Sequence, residues 1–214
     1  MENNKTELVF ILDRSGSMSG LEKDTIGGFN GMINRQRKEE GECCVTTFLF
    51  DDRVEFVHDR VRLADVKEMT EDQYYVRGCT ALIDAVGTAI AHIENIHKYI
   101  RPEDVPDHTM FIITTDGMEN ASRKYTASAV REMIERKRER SGWEFLFLGA
   151  NMDAVETASA LGIGEDKAVN FCCDPAGTAL NYKAVGKAIS EMRANRPLTA
   201  SWKAEVEADW RKRK

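Results

Sequence analysis

No apolar run in this 214-residue chain approaches the ~20 residues needed to cross a bilayer, so no membrane-spanning helix is expected. A basic excess is missing as well. Lys and Arg number 30 against 36 Asp and Glu, and the net charge of −6 argues against broad nucleic-acid binding. The five cysteines (Cys43, Cys44, Cys79, Cys172 and Cys173) make a poor disulfide framework, because the count is odd and four of them form two adjacent pairs. Adjacent cysteines on a strand point to opposite faces and do not readily chelate one metal, so they read as small buried hydrophobes kept reduced. A signal peptide is not expected, since Met1-Glu2-Asn3-Asn4-Lys5 leads straight into a strand. These absences lead us to expect a cytoplasmic protein. No Walker-type glycine loop follows a strand, no Ser/His/Asp set is evident, and no internal repeat stands out.

What the chain does contain is enough apolar residue, 42%, for a substantial core alongside 31% charged residues. Its length suits one domain over 1–196 with a polar tail, 197–214, in which Trp202, Val206 and Trp210 recur at the spacing of a short docking helix. Leu8 to Leu12 reads as a buried strand. A helical stripe follows from about Leu21 to Lys38, and Gly27, Gly28 and Gly31 within it point to close packing against a sheet. Val45–Phe50 and Val54–His58, separated only by Asp51-Asp52-Arg53, form an antiparallel hairpin at a sheet edge and place His58 on a solvated margin. Leu82, Val86, Ala89, Ile90 and Ile93 mark a second helix, and Thr109–Thr115 a fourth strand. Thr126 caps a third helix, Glu144–Gly149 is a fifth strand, and a helix runs on to about Leu161. Ala168–Phe171 is a short sixth strand, and Asp174-Pro175 opens the last long helix. Strands alternating with helices imply an α/β architecture: a Rossmann-like, doubly wound and mostly parallel six-stranded sheet with one antiparallel edge strand and helices on both faces.

Chemistry-bearing residues gather where such sheets bind ligands, beyond the carboxyl ends of the strands. Asp13, Ser15 and Ser17 follow the first strand, and Asp116 with Gly117 follows the fourth. Thr80 sits at the start of the second helix, where an N-cap or an anion site is equally in keeping with its type, and Asp84 lies one turn further on. Carboxylates and hydroxyls are hard oxygen ligands suited to Mg²⁺ or Mn²⁺. Five such residues from three loops converge if the first and fourth strands flank the crevice.

The elements Asp13-x-Ser15-x-Ser17, Thr80 within Gly78-Cys79-Thr80-Ala81-Leu82, and Thr115-Asp116-Gly117 resemble the metal-ion-dependent adhesion site (MIDAS) of von Willebrand factor A (VWA) domains. The likeness runs from about Glu7 to Met192 in the family's order, with Cys79 where the family often has a second glycine, and it is nearest to compact intracellular bacterial VWA proteins. The resemblance implies a site in which Ser15, Ser17 and Thr80 bind Mg²⁺ (with Mn²⁺ or Ca²⁺ as alternatives) directly, and Asp13 and Asp116 act directly or through water. It also implies recognition of a partner protein through that partner's Glu or Asp carboxylate, with no catalysis. Two alternatives stand beside it. A metal-dependent phosphoryl hydrolase would want a second carboxylate at position 15, where the chain has Ser15. An RNA-binding VWA protein fits the acidic balance poorly.

Overall fold

The computed structural model describes residues 4–214. Six strands form one sheet in the order β3-β2-β1-β4-β5-β6. They are β1 (Lys5–Asp13), β2 (Glu42–Phe50), β3 (Val54–Arg62), β4 (His108–Thr115), β5 (Glu144–Gly149) and β6 (Ala168–Asn170). All neighbours pair parallel except β2 with β3. The expected sheet with one antiparallel edge strand is therefore present.

Helices cover both faces, and the alternation of side chains along β1 shows how. Leu8, Phe10 and Leu12 join a core with α1 (Glu22–Gln36), α5 (Pro175–Arg193) and α6 (Ala204–Arg213). Val9 and Ile11 turn to the other core, built with α2 (Leu82–Tyr99), α3 (Ala127–Ser141) and α4 (Ala154–Ala160). A central strand buried on both faces must read as a continuous apolar run, which is why Leu8–Leu12 is recognisable by eye. Caps at Thr126, Asp153 and Asp174 start α3, α4 and α5 by accepting backbone N–H groups in their first turns.

Several sequence expectations are corrected. Close packing at the α1 glycines is against α5 and not the sheet: a Cβ on Gly28 would stand 2.2 Å from the Tyr182 ring, whereas one on Gly27 would meet nothing within 4 Å. Strand β3 runs four residues past His58, to Arg62, with register shifts between Val45 and Phe48 that keep its polar half paired. His58 is not on a solvated margin. It is 6% exposed, stacks on Phe29, and bonds Thr47 Oγ1 and the Lys67 carbonyl through its two ring nitrogens, each at 3.1 Å. Burial lowers its pKa and favours the neutral ring. The strand pattern could not show this, because Lys67 belongs to a loop that folds back over the edge.

Within 197–214 a short helix is present, but Trp202 precedes it in a 3-10 turn, Ala200–Lys203. Trp202 is 1% exposed in the α1/α5 core, and its indole N–H donates to the Asp166 carbonyl at 2.9 Å. The buried Lys203 ammonium donates to the carbonyls of Glu165 (2.7 Å) and Ala168 (2.8 Å), just where β6 begins. Trp202→Ala is therefore expected to cost about 3–5 kcal/mol in urea unfolding, the range for an aromatic core truncation. A change below about 1 kcal/mol would contradict the inclusion of this segment in the core.

Candidate metal centre

Parallel pairing of β1 with β4 sets Leu12 opposite Thr114, so the next residues, Asp13 and Thr115, leave the sheet side by side. Asp13 is buried. One of its oxygens accepts the Ser15 backbone N–H at 2.7 Å and the other the Thr115 hydroxyl at 2.5 Å. The first of these contacts turns the chain into a short 3-10 turn, Gly16–Met18, which brings Ser15 Oγ within 3.0 Å of Ser17 Oγ. Ser17 Oγ in turn donates to Asp116 Oδ1 at 2.5 Å. The third loop is tied in by backbone: Gly16 N–H donates to the Gly78 carbonyl at 3.3 Å, and Thr80 exchanges bonds with Asn120 at 2.9 and 3.0 Å. Thr80 is not an N-cap, since α2 starts after Ala81 and its first-turn N–H groups at Ile83 and Asp84 are taken by the Glu119 carboxylate (2.8 Å) and the Ser122 hydroxyl (2.9 Å).

Gly117 shows how closely the hydroxyls gather. A Cβ placed there would lie 2.8 Å from Thr80 Oγ1, 3.0 Å from Ser17 Oγ and 3.7 Å from Ser15 Oγ. The structure thus brings together all five residues singled out from the sequence. The opening above them is an exposed depression of about 420 Å³, rimmed by Cys79 and by Met118, which is 70% exposed. A larger cleft of about 660 Å³ lies at the opposite, amino end of the strands, near Lys5 and Glu42. The convergence of hard oxygens, more than cavity size, makes the smaller depression the candidate site.

Residues outside those five hold these loops in place. The Tyr74 hydroxyl donates to the Asp13 carbonyl at 2.5 Å. Arg14 is drawn away from the site by Asp51 (2.9 Å) and Glu55 (2.8 Å), and Asp51 also pairs with Arg77 at 2.7 Å. Asp84 accepts the N–H groups of Arg123, Lys124 and Tyr125, which makes it a support for the loop. Glu119 does the same for Ala121, Ser122 and Ile83. Cys173, read from sequence as a small buried hydrophobe, sits in the loop after β6, and its thiol donates to Asp116 Oδ2 at 3.4 Å. Nothing in the chain's spacing signals that contact.

Two carboxylates in so small a volume strain the electrostatics. Burial raises the Asp13 carboxyl from 3.8 to about 6, with a further upward push from Asp116, although the bonds from Thr115 and Ser15 oppose it. Burial also pushes the Cys173 thiol up to about 12, so it is a donor at neutral pH. A cation would relieve this repulsion. Among the described residues no three His, Cys, Asp or Glu side chains cluster as a metal cage, so an ion here must draw on the hydroxyls. The set of Ser15, Ser17, Thr80, Asp13 and Asp116 fits a hard divalent ion, for which neutral and anionic oxygens serve together.

A family model for VWA domain containing CoxE-like protein matches residues 1–153, and the chain belongs to that family. No curated protein sequence matches the chain. Solved structures agree on the fold at low identity. One is the proximal thread matrix protein 1 of the mussel byssus with a zinc-occupied MIDAS motif (16% identity, 88% of this chain and 46% of that one, TM-score 0.60). Another is a von Willebrand factor type A protein from Catenulispora acidiphila (16%, 88% and 43%, TM-score 0.58). A third is the vWF domain of the type V pili tip protein Mfa5 from Porphyromonas gingivalis (11%, 88% and 96%, TM-score 0.62). The chain spans about half the length of several of these proteins; for the first two above the shares are 46% and 43%. Among the described residues no helix is long and apolar enough to cross a membrane.

The raised Asp13 pKa sets a pH dependence for the metal-free protein. Its protonated form is favoured in the fold, so the stabilisation is complete below the unfolded value of 3.8 and is lost as pH rises through about 6. Asp13→Asn should flatten that part of the stability curve, measured in chelator; an unchanged slope would contradict the assignment. Gly117→Ala should leave the fold cooperative while abolishing any cation-induced rise in Tm, because the new Cβ would fill the point the hydroxyls surround. A retained rise would contradict the geometry.

Proposed function

We propose that this chain is a divalent-cation-dependent protein-recognition module. In this reading Ser15, Ser17 and Thr80 would hold Mg²⁺ (with Mn²⁺ or Ca²⁺ as alternatives), and Asp13 and Asp116 would balance its charge directly or through water. The observation that carries it is the gathering of three hydroxyls and a carboxylate around one open point at Gly117. The ion would supply Lewis acidity towards an external oxygen. Neutral hydroxyl ligands leave that acidity less quenched than carboxylates would, and a Glu or Asp side chain of a partner protein is the matching donor.

A binding role is supported over catalysis by where the candidate bases sit. His97 is held by Glu7 at 2.6 Å, His92 by Asp59 at 2.9 Å and His108 by Asn195 at 2.5 Å, while His58 lies in the α1 core; none belongs to the hydroxyl cluster. The mussel thread matrix protein with zinc in its MIDAS motif is a structural precedent for metal on this fold.

Thermal unfolding after chelation tests the reading. At about a hundredfold excess over its dissociation constant, Mg²⁺ should add ~2.7 kcal/mol to the wild type and nothing to Asp13→Ala. Equal responses of the two proteins would contradict it.

A further inference from the structure

Asp116 is gripped from two sides. Its Oδ1 takes the Ser17 hydroxyl within the cluster, and its Oδ2 takes the Cys173 thiol from outside it. We propose that Cys173 is a positioning residue that keeps one oxygen of Asp116 turned away from the cation, so that the site selects Mg²⁺ over Ca²⁺. The inference rests on the metal-dependent reading above and concerns which ion that site takes.

The loop that carries the thiol is built to hold it there. Phe171 N–H donates to the Gly149 carbonyl at 3.0 Å, which anchors the loop beside β5. Asp174 N–H donates to the Cys172 carbonyl at 2.9 Å, and the Asp174 side chain then caps α5 through Gly177 N–H at 2.7 Å. Gly177 allows this closeness, since a Cβ on it would stand 2.0 Å from the Cys172 carbonyl oxygen. Arg213 of α6 pairs with Asp174 from the far side. The residues on either side of Cys173 are thus held in place, and the backbone at Cys173 stays within thiol reach of Asp116.

The consequence for metal choice follows from coordination chemistry. Mg²⁺ demands near-octahedral geometry and takes single oxygens from carboxylates. Ca²⁺ accepts more ligands at longer distances and readily takes both oxygens of one carboxylate. The thiol turns Oδ2 towards the β6–α5 loop and away from the hydroxyl cluster, which disfavours two-oxygen coordination of the larger ion by Asp116. Asp13 is oriented in the same way, its two oxygens accepting from the Ser15 N–H and the Thr115 hydroxyl.

Calorimetric titration of the full chain with Mg²⁺ and with Ca²⁺ tests the proposal in wild type, Cys173→Ser, Cys173→Ala and Cys173→Val. The wild type should favour Mg²⁺. Cys173→Ala should shift the Mg²⁺:Ca²⁺ affinity ratio towards Ca²⁺ by about tenfold, the effect of losing one hydrogen bond to a charged group. Cys173→Val fills the side chain's space without a donor and should behave likewise, which covers a failure of the alanine variant to fold. Cys173→Ser retains a donor and should keep the wild-type ratio. A merely structural role would lower both affinities by a common factor and leave the ratio unmoved, and that result overturns the proposal. A wild type that takes up neither ion overturns the metal-dependent reading itself, and the proposal with it.

Discussion

The in-register pairing of β1 with β4 is the constraint on which the site depends. Because Leu12 lies opposite Thr114, the chain delivers Asp13 and Thr115 to the same level at the top of the sheet, close enough for hydroxyl and carboxylate to bond. A slip of one residue would turn Asp13 into one of the cores and an apolar neighbour into the site. The cost of driving the Asp13 carboxylate into an apolar core opposes that slip, so the same cores that stabilise the domain also place the chemistry. The loops then need to supply only short-range corrections, and a single 3-10 turn suffices to bring Ser15 and Ser17 together.

Charge around the site is sorted with some economy. Arg14, between Asp13 and Ser15, would neutralise the cluster if it pointed inward; Asp51 and Glu55 draw it out to the β2–β3 edge. Asp84 and Glu119 spend their oxygens on backbone N–H groups of the loop after β4. What remains unneutralised is Asp13 with Asp116, and the Asp13 carboxyl is raised chiefly by its burial, with a smaller push from Asp116. The acceptors thus stand together with the nearest cation turned away from them.

Most of the fold was legible in the sequence because the buried strands of a parallel sheet are continuous apolar runs and the helices between them carry clear stripes. The meeting of Asp13, Ser15, Ser17, Thr80 and Asp116 was legible too, from the strand order and from the resemblance of their spacing to a MIDAS, since Ser and Asp after a strand are by themselves routine helix-start residues. What stayed hidden depends on contacts between distant segments. His58 is buried by a loop carbonyl nine residues away, and Gly28 by a tyrosine on α5. Cys173 resembled any small buried residue, and only the meeting of the β6–α5 loop with Asp116 sets it apart. Periodicity reports which face of an element is buried, but not what lies across it.

The central claim is that a cation sits among Ser15, Ser17, Thr80, Asp13 and Asp116. Crystals grown with Mn²⁺ and measured for anomalous scattering test it most directly. The account predicts one strong peak within coordination distance of the three hydroxyl oxygens, above Gly117. A map in which Mn²⁺ occupies other positions while the hydroxyl cluster stays empty would contradict it.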